Sequence, residues 1–126
     1  MENDLLADEA ADSLIALCRT AIGDSLRSIT YFTRDDFEQL YLRDDLEQDA
    51  DLMGFIGNEW QDFKTTQSAY EGTELGDYEF TIRVFENGYL VRVTTDTEGV
   101  FATADSLTLQ AYEDAATAIS EVLEER

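Results

Sequence analysis

One dipeptide, Asn87-Gly88, constrains the fold of this chain more than any other feature of the sequence. It separates two runs rich in β-branched and aromatic residues, 78–86 and 89–95. Asn-Gly between two such runs is the strongest short-range signal for a β-hairpin, because both residues tolerate the positive φ angles of a tight turn. The sequence therefore predicts two adjacent antiparallel strands in this region.

A two-residue turn at Asn87-Gly88 also predicts which residues face each other. Cross-strand neighbours lie on the same face of the sheet, so the register decides which side chains meet. The predicted pairs are Glu86 with Tyr89, Phe85 with Leu90, Val84 with Val91, Arg83 with Arg92 and Ile82 with Val93. This register puts two arginines directly opposite each other.

The remaining elements follow from the spacing of apolar residues. Apolar residues recur every three or four positions in three segments, which predicts helices, and three short β-branched or aromatic segments predict further strands. The predicted helices are 4–22, 44–66 and 105–124, and the further strands are 28–33, 37–43 and 100–104. The order α-β-β-α-β-β-β-α predicts a single α+β domain over residues 1–126, with a five-stranded antiparallel sheet and three helices.

The composition excludes several kinds of chemistry. The chain has no His, so His-ligated metal sites and His-activated nucleophiles cannot form. Cys18 lies on the apolar face of the first helix and is predicted to be buried. Carboxylates are too numerous for any pair of them to mark a catalytic site. We therefore expect a non-enzymatic protein without a metal or another cofactor.

Two classes of partner are also unexpected. Arg27, Arg34 and Arg43 are scattered near the first two strands and do not form the basic stripe that nucleic-acid binding needs. Neither Gly54 nor Gly57 belongs to a phosphate-binding loop motif. The chain also lacks an apolar run of about 18 residues, the length needed to span a membrane. We expect no nucleic-acid partner and no membrane insertion.

The charge of the chain has two explanations. Asp and Glu number 29 against 8 Lys and Arg, giving a net charge of −21, and Lys64 is the one lysine. An acidic chain can bind a basic partner, or mimic nucleic acid and inhibit a protein that binds it. However, the acids are spread over all segments, and this composition resembles that of small acidic proteins of haloarchaea, which work in molar salt. That resemblance implies that the charge suits the solvent. The acidic start of the sequence, 1–4, is unlike an export signal, so we expect a cytoplasmic protein.

The element order resembles the roadblock (dynein light-chain-like, profilin-like) family over residues 4–124. The likeness is one of order and length, with no diagnostic motif. It implies a homodimer in which the second helix and third strand of each subunit meet, and a regulatory or scaffold role, often for an NTPase. PAS and GAF sensor domains, which bind small ligands in a pocket under the sheet, are an alternative.

Four residues on the predicted hairpin form a candidate site for a partner or an anion. Arg83 and Arg92 would share one face with Phe85 and Leu90, a mixture typical of protein interfaces. Paired arginines bind carboxylates and phosphates well. Alternatively, nearby acids neutralise both arginines, or a helix covers this face.

The second predicted helix carries a candidate dimer contact. Gly54 and Gly57 flank Phe55, and glycine inside a helix costs about 1 kcal/mol relative to alanine. Two glycines would allow another helix to approach closely, and Phe55 points away from the stripe that contains Trp60. The alternative is close packing of this helix on its own sheet.

If the charge reflects a saline cytoplasm, stability must depend on salt. Screening at about 1 M salt shortens the Debye length to about 3 Å, which suppresses repulsion between surface carboxylates. We expect a lower melting temperature in about 0.1 M KCl than in about 2 M KCl, measured by circular dichroism. Equal melting temperatures at the two concentrations would contradict this explanation of the charge.

Overall fold

The computed structural model describes residues 6–34, 36–46, 56–106 and 108–125. The predicted order of helices and strands is confirmed, and a short 3₁₀ turn, Gly23–Ser25, follows the first helix. The helices are α1 (Asp8–Ile22), α2 (Ile56–Tyr70) and α3 (Leu109–Glu124), and the strands are β1 (Leu26–Thr33), β2 (Phe37–Leu42), β3 (Thr81–Phe85), β4 (Gly88–Thr94) and β5 (Glu98–Ala104).

The five strands form one antiparallel sheet in the order β2-β1-β5-β4-β3. Two units, β1-β2 and β3-β4-β5, join through the central pairing of β1 with β5. The segment that contains α2 links β2 to β3, so it connects the two edges of the sheet. Both edge strands therefore lie next to α2 in sequence.

Helices cover both faces of the sheet. One face, which includes Ile29, Val91 and Ala102, packs against α1 and α3 in the larger hydrophobic core. The opposite face buries a smaller cluster of Phe32, Leu90 and Phe101, and Trp60 of α2 packs against it. Alternate residues of β4 and β5 belong to the two cores, as expected for strands covered on both sides.

The predicted end of α1 is confirmed, but the helix begins at Asp8, later than predicted, since Leu6 and Ala7 are not helical. It ends at Gly23, whose φ of 78° is a conformation that glycine adopts without strain. Leu14 and Cys18 are buried, as predicted, and burial raises the pKa of the Cys18 thiol to about 12. The thiol is therefore protonated at neutral pH. Leu17, expected on the apolar face, is instead 40% exposed.

The predicted start of the second helix is wrong in the part that the structure describes. Residues 44–46 form a turn, and residues 47–55 lie outside the described residues. The Asp45 carboxylate accepts a hydrogen bond from Arg43 Nε at 2.6 Å instead of capping a helix. At its other end, α2 continues to Tyr70, four residues beyond the predicted end.

Helix α3 begins later than predicted because its expected cap is used elsewhere. Asp105 accepts hydrogen bonds from Arg27 Nη1 at 3.2 Å and Arg43 Nη1 at 2.6 Å. Thr108 caps the helix instead, and its hydroxyl accepts a hydrogen bond from the Ala111 amide at 3.1 Å.

The predicted register of the β3-β4 hairpin is wrong. Gly88 is the first residue of β4 and pairs with Phe85, so Arg83 faces Leu90 and Arg92 faces Thr81. The pairing differs by two positions along β4, which leaves every side chain on its predicted face. A Cβ atom at Gly88 would lie 2.8 Å from the Ala104 carbonyl oxygen. This glycine therefore allows β4 and β5 to approach closely.

Replacing Gly88 should test this close approach. We expect Gly88→Ala to lower the free energy of unfolding by about 1–3 kcal/mol, since the backbone of β4 or β5 must move to accept a methyl group. Chemical denaturation at constant salt measures the change. Ser68→Ala, on the exposed surface of α2, is the control and should change stability by less than about 0.5 kcal/mol. A Gly88→Ala variant as stable as the control would contradict the steric role of Gly88.

Candidate functional site

Two acidic residues of α2 face the sheet beneath it. Glu59 and Asp62 are three residues apart and therefore lie on the same side of the helix. Below them, Arg92 of β4 is completely buried. Arg92 Nη1 donates hydrogen bonds to Glu59 Oε1 at 2.7 Å and to the Glu59 carbonyl oxygen at 2.8 Å, and it lies 3.1 Å from Asp62 Oδ2.

The second guanidinium nitrogen of Arg92 is also satisfied. Nη2 donates to the Tyr78 hydroxyl at 2.7 Å and to Thr81 Oγ1 at 2.9 Å. Arg92 Nε has no hydrogen-bond partner within the described part of the chain. Arg92 thus links α2, β3 and the segment before β3 from below.

Arg83 of β3 binds the same two carboxylates from the edge of the sheet. Its Nε donates to Glu59 Oε2 at 2.9 Å, and its Nη2 lies 3.0 Å from Asp62 Oδ2. Burial lowers the pKa of Arg83, but the hydrogen bond and the negative charge of Glu59 outweigh this effect and leave the pKa above its usual value. Two arginines and two carboxylates therefore compensate each other, and we call these four residues the arginine–carboxylate cluster.

The surroundings of the two arginines correspond to the alternative in which acids and a helix cover them. Neighbouring acids of α2 neutralise both side chains, and α2 covers the face on which they lie. The sequence predicts Arg83 and Arg92 as site residues, but it does not predict their partners Glu59 and Asp62. The signal was present in the i, i+3 spacing of the two acids, although nothing in the sequence specifies which face of the sheet α2 covers.

The two apolar members of the predicted site have different surroundings. Leu90 is buried with Phe32 and Phe101, so it is not at the surface of the isolated chain. Phe85 is 49% exposed at the end of β3, and its neighbour Val84 is 71% exposed. A surface depression of about 370 Å³ between Phe85 and Tyr89 is also lined by Arg27 and Thr103.

Among the strands of the described ranges, β3 is an edge of the sheet, because it pairs with β4 and with no second strand there. It contains no acidic residue, although acids occur throughout the chain. We call Val84, Phe85 and the unpaired backbone edge of β3 the β3 edge surface. Unpaired strand edges can pair with a further strand.

The predicted glycine contact lies mostly beyond the region that can be described. Gly54 and Phe55 are outside the described residues. Gly57 is the second residue of α2. The packing of this segment therefore remains a prediction from the sequence.

The described ranges contain neither a cluster suited to a metal ion nor a helix suited to a membrane. Residues 6–34, 36–46, 56–106 and 108–125 contain no group of three or more Cys, Asp or Glu side chains placed to hold a metal ion. Within the same ranges, none of the helices combines the length and apolarity required to cross a bilayer.

Removing one charge from the cluster should destabilise the chain. Glu59→Gln leaves Arg92 buried with its closest carboxylate lost, and breaking a buried ion pair in this way costs about 3–5 kcal/mol. Thermal and chemical unfolding measure the loss. Glu71→Gln removes one charge from an exposed position and serves as the control, with a change below about 0.5 kcal/mol. Similar stabilities of the two variants would show that the cluster contributes little.

Solved structures with the same arrangement of elements belong to MglB proteins. An MglB with a tetrameric arrangement superposes with a TM-score of 0.67 at 13% identity, covering 99% of this chain and 98% of the other. The gliding protein MglB from Thermus thermophilus has a TM-score of 0.62 at 9% identity, covering 100% of this chain and 99% of the other. Myxococcus xanthus MglB has a TM-score of 0.61 at 8% identity, covering 97% of this chain and 96% of the other.

These likenesses concern the fold, since the identities are low. They confirm the predicted roadblock/profilin-like arrangement of three helices on a five-stranded antiparallel sheet. No curated protein matches the sequence. A family model described as "Domain of unknown function (DUF7522)" matches residues 12–124, nearly the whole chain, and the protein therefore belongs to this family.

Proposed function

We propose that the protein is a non-catalytic, homodimeric module that regulates or scaffolds another protein, with an NTPase as the expected partner. Its place of action would be the cytoplasm. The structural similarity to MglB fits a role as a regulatory interaction module.

The observation that carries the proposal is the β3 edge surface. Val84 is 71% exposed and Phe85 49% exposed on a strand whose outer backbone edge is unpaired. Two copies of β3 pairing antiparallel about a two-fold axis would join two sheets and cover both apolar side chains. The lack of an acidic residue in β3 reduces the repulsion that two strongly acidic chains would otherwise experience.

The opposite edge of the sheet is less suited to pairing. Strand β2 carries Glu38, and its register with β1 shifts between Ile29 and Thr30. Charges and bulges are devices that discourage a further strand from adding to an edge. The contrast between the two edges favours β3 as the site of association.

The fold comparison adds independent support for self-association. One of the similar MglB structures has a tetrameric arrangement, so a chain of this fold can assemble with copies of itself. The regulatory role and the NTPase partner rest on the resemblance to the roadblock family.

The other functions considered from the sequence have less support. A sensor of the PAS or GAF type needs an enclosed, mainly apolar pocket under the sheet. The groove of about 650 Å³ lined by Trp60 and Lys64 is open at the surface and partly polar, so it gives no support to a sensor of this type. A nucleic-acid mimic needs its acids on one face. Exposed acids occur on α1 (Asp8, Glu9), on α3 (Glu113, Asp114) and beyond the end of α2 (Glu71).

We also propose that the protein works in a haloarchaeal cytoplasm or one of similar salinity. Among the described acids, only Glu59 and Glu98 are buried. The other described carboxylates are at least partly exposed to solvent, where molar salt screens their repulsion.

Size measurements with two matched variants test the dimer. In about 2 M KCl, where repulsion is screened, light scattering after gel filtration should give twice the 14.2 kDa chain mass for the wild type. Val84→Glu should give the monomer mass, because it places a charge at the centre of the contact. Leu109→Glu is the control, since Leu109 is 69% exposed on α3, and it should remain a dimer.

Two results would contradict the proposal in different ways. A wild-type monomer at high protein concentration rules out the homodimer. A Val84→Glu dimer as stable as the wild type keeps the dimer but excludes the β3 edge surface as its contact. Proteins captured by the wild type in the same salt can then be assayed for nucleotide hydrolysis with and without the chain.

A further inference from the structure

Most basic side chains in the described ranges contact a carboxylate or an aromatic ring, which makes the exceptions informative. Of the arginines in the described ranges, Arg27, Arg43, Arg83 and Arg92 form ion pairs with carboxylates, and Arg19 lies over the Tyr41 ring at 5.5 Å. Arg34 and Lys64 make no hydrogen bond, ion pair or ring contact within those ranges. In a chain with 29 acidic residues, two unpaired cations are unexpected.

Arg34 and Lys64 line the same groove, although they are 30 positions apart in the sequence. Arg34 lies in the turn between β1 and β2, and Lys64 lies in the middle of α2. The groove has a volume of about 650 Å³ and is completed by the turn between β4 and β5. Its other lining residues are Thr33, Trp60, Gln61, Asp96 and Thr97. Three separate elements therefore bring both unpaired cations to one place.

Cations outnumber acids among the described residues that line the groove. Asp96 is the one acid of that described lining, against two cations. The Asp96 carboxylate already accepts a hydrogen bond from Gln67 Nε2 at 3.2 Å. The described lining therefore carries a positive charge, on a chain with a net charge of −21.

Trp60 gives the groove a fixed aromatic wall. Its indole ring lies edge-on to Phe32, with ring centroids 6.3 Å apart, and contacts Phe63 at 6.0 Å. These contacts hold the ring in place beside the groove.

We propose that this groove binds a small molecule that carries phosphate groups, held by Arg34 and Lys64 beside the Trp60 ring. Exposed single ion pairs are weak, so a singly charged anion would gain little here. A polyphosphate chain can contact both cations at once, and arginine binds phosphate oxygens in pairs. A volume of about 650 Å³ lies within the usual range for small-molecule sites. This inference is independent of the proposed dimer.

The single tryptophan of the chain makes the proposal directly measurable. Trp60 lines the groove, so intrinsic tryptophan fluorescence reports only on this position. Tripolyphosphate does not absorb in this range and is the first probe, at a constant KCl concentration that keeps the chain folded. We expect a saturable change in fluorescence. Calorimetric titration with ATP then distinguishes the source: tighter binding of ATP indicates a nucleotide, and equal binding indicates the phosphate chain alone.

Matched variants identify the residues responsible. Arg34→Gln and Lys64→Gln should each weaken binding of tripolyphosphate about tenfold, the loss expected for one charge-assisted hydrogen bond. Arg19→Gln removes the same charge from a distant exposed position and should bind like the wild type. Both groove residues are exposed, so folding should be unaffected, as circular dichroism can verify.

Three results would overturn the proposal. The first is the absence of a saturable fluorescence change at millimolar tripolyphosphate. The second is equal affinity in the wild type and in both groove variants. The third is equal binding of tricarballylate, a tricarboxylate, which would show that the groove has no preference for phosphate.

Discussion

The burial of Arg92 is the constraint on which this structure depends. A fully buried guanidinium in a sheet is tolerated only with a carboxylate beside it, and Glu59 of α2 supplies that group at 2.7 Å. Apolar contacts between Trp60 and the sheet would permit several positions of α2, whereas an ion pair with several hydrogen bonds permits one. The charge of Arg92 thus sets where α2 lies. Through the shared carboxylates, α2 also holds Arg83 and therefore the edge strand β3.

The position of α2 in turn determines two surfaces of the protein, the groove and the β3 edge surface. With α2 fixed, Trp60 and Lys64 are held above the end of the sheet where the β1-β2 and β4-β5 turns meet, and the groove exists between them. Arg83 connects β3 to α2 on the face of the sheet that the helix covers. The outer backbone edge of β3 and the Val84 side chain stay exposed. The proposed dimer contact and the proposed phosphate groove thus both depend on one internal ion pair. The acidic surface elsewhere keeps both regions chemically distinct from their surroundings.

Local patterns in the sequence predict the order of helices and strands. The errors, in the hairpin register and in the start of α3, come from contacts between residues that are distant in the sequence. Apolar spacing located every helix and strand because amphipathic periodicity reflects burial directly. The hairpin register was wrong because Asn87-Gly88 was assigned to the turn, whereas Gly88 is required by the close approach of Ala104 in another strand. The start of α3 was wrong because Asp105 pairs with Arg27 and Arg43, which lie more than sixty positions away.

The candidate site shows the same division between local and distant information. Arg83 and Arg92 were recognisable as unusual charges from the hairpin alone. Their partners Glu59 and Asp62 were not, since carboxylates are common in this sequence and only the packing of α2 distinguishes these two. The groove at Arg34 and Lys64 was equally hidden, because its residues come from three elements. In a chain this acidic, the unpaired cations indicate a candidate binding site more specifically than the acids do.

The pairing of β1 with β5 at the centre of the sheet also has a consequence for how the chain acquires its structure. Residues 26–33 must find residues 98–104, so the two units of the sheet cannot unite until nearly the whole chain is available. Contacts between distant segments slow folding, since the loop between them must close before they form. During synthesis, the β1-β2 hairpin emerges first and keeps one unpaired edge until β5 leaves the ribosome. Until β5 covers it, this edge of β1 is therefore a place where another chain can add a strand.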